Sequence, residues 1–287
     1  MARTALVTGC GKRDGMGRAI ARTLAGSGVG VVVADRVPTG VPNRHQEGRA
    51  AGGSDSWRGL ESLVEEIRSE GGTASFVTGD IGSEDDAGRM VAEAAAGGGL
   101  DILVNNAAAP QGLDRQDIEE VPVEEWDDVL RINLRGTYLM SRFAVPLMRA
   151  RRWGRIVNIA SMAGIDKLPR SAAYSASKAG IIGFTRALAM DVAPWGVTVN
   201  AVCPGMVWTS RSSLSHDPDV DVDTERARRI GQIPAGRPGL PDDVAAAVAY
   251  LASEGASYVT GVALPLDGGG MPPFPLVRPA EEGQSSS

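Results

Sequence analysis

The chain has 287 residues, 43% of them hydrophobic, and a formal net charge of −6. That length is enough for one large α/β domain with a substantial core, and the negative balance argues against nucleic acid or an anionic membrane as the main partner. Cys10 and Cys203 fit no metal or redox spacing, and His45 and His216 are isolated in polar sequence, so no metal site is expected.

Short β-rich runs alternate with helical patterns. The strand candidates are Thr4–Thr8, Gly30–Asp35, Ala74–Gly79, Asp101–Asn105, Arg155–Ala160, Val197–Val202 and Val262–Leu266. Several are rich in Val and Ile on both parities, as parallel strands covered on both faces require. Leu60, Leu63, Val64 and Ile67 repeat at helical spacing until Gly71-Gly72 stops them. The stretch from Val123 to Arg149 is amphipathic, and Pro146 is expected to kink or interrupt it. Pro241 with Asp242-Asp243 opens a later helix. The alternation predicts a Rossmann-type, doubly wound parallel sheet of about seven strands with helices on both faces. One domain is expected over residues 1–270, with no repeats. Residues 37–56 read as a Gly-, Pro- and Arg-rich insert, residues 206–234 as either a substrate lid or a solvated loop, and residues 271–287 as a loosely ordered tail. A strand expected from Thr4 leaves no room for a signal peptide. No apolar run reaches the roughly 20 residues that span a bilayer, so a reduced, cytoplasmic setting is expected.

The first strand runs into Thr8-Gly9-Cys10-Gly11-Lys12-Arg13-Asp14-Gly15-Met16-Gly17 and then a helix. Glycines permit a tight turn and close backbone approach to a pyrophosphate, and the helix start adds free N–H groups and a positive dipole end. The position of this turn, after strand one and before helix one, is the context that dinucleotide binding requires. Asp35 ends the second strand, where an acid accepts hydrogen bonds from the adenosine ribose and repels a 2′-phosphate. NAD(H) is therefore the expected cofactor. Arg36, Lys12 and Arg13 keep NADP(H) open, because a basic group nearby accommodates that phosphate.

Tyr174 and Lys178 lie four residues apart on a helical pattern, one turn from each other. Ser161 follows a strand-like run 13 residues before Tyr174. A cation beside a phenol favours its ionised form, which suits proton transfer at a substrate oxygen. Bringing a tyrosine from about 10 to near neutrality takes roughly 4 kcal/mol of differential stabilisation. One lysine at a wet surface does not supply that, and a second cation such as an oxidised nicotinamide ring is the natural supplement.

Taken together these motifs resemble the short-chain dehydrogenase/reductase family, over almost the whole chain to about Gly270. Thr8-Gly9 with Gly15-Met16-Gly17 resembles its cofactor turn, Asp80-Ile81 its adenine-contacting pair, and Asn105-Asn106-Ala107-Ala108 its NNAG segment. Asn133, Ser161, Tyr174 and Lys178 match its catalytic tetrad. Pro204-Gly205-Met206-Val207-Trp208-Thr209 resembles its nicotinamide-side loop, and Asp267-Gly268-Gly269 its closing motif. The resemblance implies that Tyr174 is the general acid/base and that Lys178 lowers its pKa and holds the nicotinamide ribose. It implies that Ser161 binds the substrate oxygen, and that Asn133 supports a proton-relaying water. It places Gly9, Gly11, Gly15, Met16, Gly17, Asp35, Arg36, Asp80, Ile81, Asn106, Ala107, Ala108, Pro204, Gly205, Val207 and Thr209 at the cofactor, with Tyr174 and Lys178. It also implies a homotetramer or homodimer.

Two features depart from the family. Five residues, not three, separate Gly9 from Gly15, and the 37–56 insert lies beside the adenosine end, either covering the cofactor or forming a surface excursion. The substrate pocket is expected between the segment after Asn106, the Ser161–Arg170 loop and the 206–234 segment, with Met162, Leu168, Met206 and Trp208 lending apolar character. The leading expectation is an NAD-dependent enzyme interconverting a small-molecule secondary alcohol and ketone. An NADPH-dependent ketoreductase of an acyl thioester or biosynthetic ketone is the alternative. A non-catalytic dinucleotide-binding regulator is a third, disfavoured by the complete tetrad.

Overall fold

Seven strands, all parallel, form one sheet in the order β3-β2-β1-β4-β5-β6-β7. The structure is a computed structural model, and it describes residues 3–43, 56–166, 168–210, 227–228 and 230–270. The strands are β1 (Thr4–Thr8), β2 (Gly30–Asp35), β3 (Ala74–Thr78), β4 (Ile102–Asn105), β5 (Gly154–Ile159), β6 (Val197–Pro204) and β7 (Ala263–Leu266). Each lies within two residues of its sequence expectation. Every residue of β4, β5 and β6 is buried, which is why their sequences are apolar on both parities.

The helices are α1 (Met16–Gly26), α2 (Leu60–Ser69), α3 (Glu84–Ala95), α4 (Val123–Leu130), α5 (Gly136–Arg151), α6 (Ala172–Val192) and α7 (Pro241–Leu251). Ile20 and Leu24 of α1, Leu63 and Ile67 of α2, and Val244 and Val248 of α7 cover one face of the sheet. Met90 of α3, Leu139 and Met140 of α5, and Val192 of α6 cover the other. Local chemistry sets the helix starts. Ser83 caps α3 by accepting from the Asp86 N–H, and three acids fill its first turn. At α7, Pro241 holds the first helical position and the Asp243 carboxylate accepts from the Leu240 N–H at 2.7 Å.

The expected break at Pro146 is not where the long helical stretch breaks. Helix α5 runs through Pro146, which sits on its exposed face, as does Arg142, the residue whose carbonyl loses its backbone partner. The discontinuity lies earlier, in a π-helical turn over Arg131–Arg135 between α4 and α5, with Asn133 buried inside it.

A buried polar chain ties the middle of the sheet to the helical layer that holds α5 and α6. Asn105 of β4 donates to Ser141 of α5 at 3.2 Å and to Asn158 of β5 at 2.8 Å, and Asn158 donates to Thr185 of α6 at 2.9 Å. Residues 44–55 of the insert, 211–226 of the expected lid, and the 271–287 tail lie outside the described residues, as do His45 and His216. Among the described residues no helix is long and apolar enough to cross a membrane, and no group of three or more His, Cys, Asp or Glu could hold a metal. Asn158→Ala strands its partners in the interior and should destabilise by about 1–3 kcal/mol per stranded group. A lowered denaturant midpoint with an unchanged slope checks this.

Candidate active site

The sheet order reverses between β1 and β4, so the loops leaving their carboxyl ends diverge and leave a crevice. Asn106 brackets it. Its side-chain amide donates to the carbonyls of Thr8 and Gly9 at 2.8 and 3.1 Å, while Thr8 Oγ1 accepts from the N–H groups of Asn106 and Ala107 at 3.1 and 3.0 Å. Gly9 has φ +75°, and a Cβ there would lie 2.8 Å from Ala107 Cα. Only glycine meets both conditions. Gly17 serves a different purpose: a Cβ there would lie 2.2 Å from the Gly9 carbonyl oxygen, so it lets α1 close onto the turn.

The resulting cleft has a volume of about 970 Å³ including its open mouth. Gly9, Gly15, Met16, Asp35, Arg36, Asp80, Ile81, Asn106, Ala107, Ala108 and Thr209, all among the residues expected at the cofactor, line it. Gly15, the N-cap of α1, provides no side-chain cap, and the first turn of α1 holds no acid, so its N–H groups open toward the cleft. The buried Asn106 Oδ1 has no hydrogen-bond partner. An uncapped helix start, an open acceptor and an acid at the end of β2 fit a dinucleotide, its pyrophosphate at α1 and its adenosine ribose at Asp35.

Asp35 is tied into the lengthened turn. Its carboxylate accepts from the N–H groups of Gly11 at 2.9 Å and Arg36 at 2.8 Å. Burial pushes this carboxyl above its ordinary value, and those two N–H groups with the charge of Lys12 pull it partly back. Gly11 does not line the cleft. A Cβ on it would meet the Gly40 backbone nitrogen at 2.3 Å, and its carbonyl accepts from Trp57 Nε1 at 3.0 Å. The two departures from the family pattern therefore pack on each other: the extra residues after Gly9 rest against the described ends of the insert.

Other cleft residues were not legible from local sequence. Val41 and Asn43 of the insert line it, and the buried Asn43 Oδ1 accepts from the Gln111 N–H at 3.1 Å. Asp14 accepts from Ser210 through both backbone N–H and hydroxyl, the latter at 2.9 Å, joining the Gly-rich turn to the segment after β6. Asp80 pairs with Arg131 of the π turn at 3.1 Å. Pro204, Gly205 and Val207 lie beside the cleft without lining it. Gly205 packs against Asp267, and Val207 pairs with Gly239.

The matched tetrad gathers at the ends of β5 and α4 and on the first turns of α6. Lys178 is buried, its Nζ donates to the Ile159 carbonyl at 2.7 Å, and it lies 5.6 Å from the centroid of the Tyr174 ring. Asn133 Oδ1 accepts from the Ala109 N–H at 2.8 Å, and its amide donates to Ser177 Oγ at 2.9 Å, clamping the π turn to the helix that carries Lys178. Ser161, in extended backbone, accepts from the Ala163 N–H at 3.1 Å. A Cβ on Gly164 would meet the Lys178 carbonyl carbon at 2.7 Å, so this glycine lets the Ser161 turn sit directly on α6. Met162 packs on the Ile181, Ile182 and Cys203 cluster, which places it against the core. Burial raises the thiol pKa of both cysteines, that of Cys203 to about 11, which leaves neither a ready nucleophile.

Asn133, Ser161, Tyr174 and Lys178 do not line the cleft themselves; a doubly wound sheet with a cleft at its switch point and a Tyr–Lys pair on α6 fits a nicotinamide-dependent oxidoreductase. A sequence-family profile described as "Enoyl-(Acyl carrier protein) reductase" matches residues 43–270. The chain is 35% identical over 271 residues to the 3-oxoacyl-[acyl-carrier-protein] reductase FabG of Staphylococcus aureus, covering 94% of this chain and 98% of that protein. It is similar to a structure from Beutenbergia cavernae assigned as an NAD(P)-dependent gluconate 5-dehydrogenase with bound NADP (TM-score 0.80, 37% identity, covering 94% of this chain and 97% of that one). It is also similar to a single-substitution variant of actinorhodin polyketide ketoreductase with NADPH (TM-score 0.81, 36% identity, covering 93% and 97%). The chain belongs to the short-chain dehydrogenase/reductase family. It is an NAD(P)-dependent oxidoreductase acting on CH–OH and ketone groups.

Gly9→Ala combines a left-handed backbone with a contact against Ala107, and should cost about 1–3 kcal/mol. Both a lower thermal midpoint and weaker fluorescence quenching by added NADH are expected.

Proposed function

We propose that this enzyme interconverts a secondary alcohol and a ketone with NAD(H), and that Tyr174 is its general acid/base. The observation that carries this reading is the buried Lys178 ammonium, anchored on the Ile159 carbonyl and facing Tyr174 from one helical turn away. Its charge favours the tyrosinate. In reduction Tyr174 protonates the carbonyl oxygen, and in oxidation it takes the alcohol proton. Ser161 holds that same oxygen. Asn133 keeps the π turn against α6, so that Lys178 returns to one position through the cycle. A nicotinamide held in the cleft would supply or accept the hydride. The residues lining the cleft would hold its dinucleotide, with the uncapped N–H groups at the start of α1 receiving the pyrophosphate.

NAD(H) rather than NADP(H) rests on the fixed negative charge of Asp35. Lys12 and Arg36 line the same end of the cleft, and similar proteins have been solved with NADP or NADPH. These observations favour a second reading, an NADPH-dependent reductase of 3-oxoacyl thioesters like the FabG relatives. The two separate in one assay, in which NADH and NADPH are compared against simple ketones, β-keto esters and a 3-oxoacyl thioester. We also read residues 1–270 as one catalytic unit with 206–234 on the substrate side, and the setting as cytoplasmic. The partly exposed Tyr138, Phe184 and Met190 on α5 and α6 support assembly through that face as a homodimer or homotetramer. Sedimentation velocity tests that.

Tyr174→Phe should lower kcat by about 10²–10⁴-fold while NADH quenching stays within error of wild type, and an active variant removes the assigned role. Asp35→Asn should raise affinity for NADPH. Because burial raises Asp35, its charge is lost as pH falls through a value above the ordinary carboxylate range. Discrimination against NADPH should therefore narrow on acidification, and narrow more in the wild type than in Asp35→Asn.

A further inference from the structure

The loop between β4 and α4 carries a cation that no motif predicted. Arg115 places its guanidinium carbon 4.2 Å from the centroid of the Tyr174 ring. This is closer than Lys178 Nζ, at 5.6 Å. Its NH1 donates to Ser171 Oγ at 2.6 Å, and Ser171 is the N-cap residue of α6, the helix whose first turn holds Tyr174. Ser171 Oγ in turn donates to the Pro169 carbonyl at 3.2 Å. On its other side, Arg115 Nε lies 3.1 Å from the carboxylate of the buried Asp114, which accepts from the Gly112 N–H at 2.9 Å.

We propose that Arg115 is the positioning residue of Tyr174: stacked on the ring and tied to the start of α6, it fixes where the phenol points and sets a second permanent positive charge beside it. This rests on the reading of Tyr174 as acid/base. A planar guanidinium suits the task, since it stacks on an aromatic face while its edge donates in the plane. Lys178 of α6 also faces the ring. Asp114 stands against the guanidinium and offsets part of its charge. The neighbouring packing from α4 and the π turn is apolar, with Val129, Trp126 and Ile132 against Ala173. The segment leading into α6 carries one acid, Asp166, and two bases, Lys167 and Arg170.

Bringing the phenol into range takes a cation besides Lys178, and an oxidised nicotinamide is one such cation. Arg115 supplies a share of that charge before any coenzyme binds. Its effect is therefore measurable in the apo-protein, by near-ultraviolet titration of tyrosinate. The chain has four tyrosines, and subtracting the Tyr174→Phe curve isolates the one of interest.

Three variants make the test: Arg115→Met, Arg115→Lys and Ser171→Ala. In Arg115→Met the Tyr174 titration should move to higher pH, and the alkaline-rising limb of kcat/KM for alcohol oxidation should move with it. Its kcat at neutral pH should fall roughly 3- to 30-fold, the range that cation–π strengths imply, with NADH quenching unchanged. Arg115→Lys should recover the titration in part. Ser171→Ala keeps the charge and loosens its tether, so it should lower kcat with little movement of the titration. An Arg115→Met protein that melts as wild type, with the Tyr174 titration and kcat unmoved, overturns the proposal. So does an Arg115→Lys protein whose titration lies where that of Arg115→Met does. An active Tyr174→Phe variant is a different failure, because it removes the acid/base assignment itself whatever Arg115 does.

Discussion

The site depends on a hydrogen-bonded bracket across the point where the sheet reverses order. Thr8 and Gly9 leave β1 toward α1, and Asn106 leaves β4 in the other direction. Left unpaired, their carbonyls and N–H groups would sit at a partly buried strand end, each costing the free energy of a lost hydrogen bond. The Asn106 amide and the Thr8 hydroxyl answer those groups reciprocally. That pairing fixes the separation of the two loops, and with it the width of the cleft. The glycines follow from it: Gly9 because Ala107 lies against it, and Gly17 because α1 must start where the turn ends.

A second arrangement holds the reacting group in place. Asn158 and Asn105 link β4, β5, α5 and α6 through the core, and Asn133 repeats the motif nearer the surface by joining the π turn to Ala109 and Ser177. Networks of this kind favour one packing over its neighbours, and here the buried Asn105 Oδ1 is the atom left without a hydrogen-bond partner among the described residues of the two clusters. The helix bearing Tyr174 and Lys178 is thus held at its middle by Thr185, near its start by Ser177 and at its N-cap by Ser171.

The order of strands and helices, the Gly-rich turn and the Tyr–Lys pair were readable because each is written locally, as a periodicity or a short spacing. What escaped the reading was set by contacts distant in sequence. Pro146 looked like a breaker, yet it lies on the solvent face of α5, where a lost hydrogen bond is cheap. The true irregularity at Arg131–Arg135 contains neither proline nor glycine, and within it Asn133 reaches both Ala109 and Ser177. Asn43 and Arg115 stand in segments with no repeating pattern. Their partners, Gln111 and Ser171, are 68 and 56 residues away.

The contact between Gly11 and Gly40 makes the lengthened turn and the insert one mechanical unit, with the Trp57 indole pinning its underside. Neither half is supported alone: shortening the turn removes the surface on which residues 38–40 rest, and excising the insert bares the backbone that Gly11 covers. Anyone building chimeras between this enzyme and a relative with the shorter turn must exchange both pieces together.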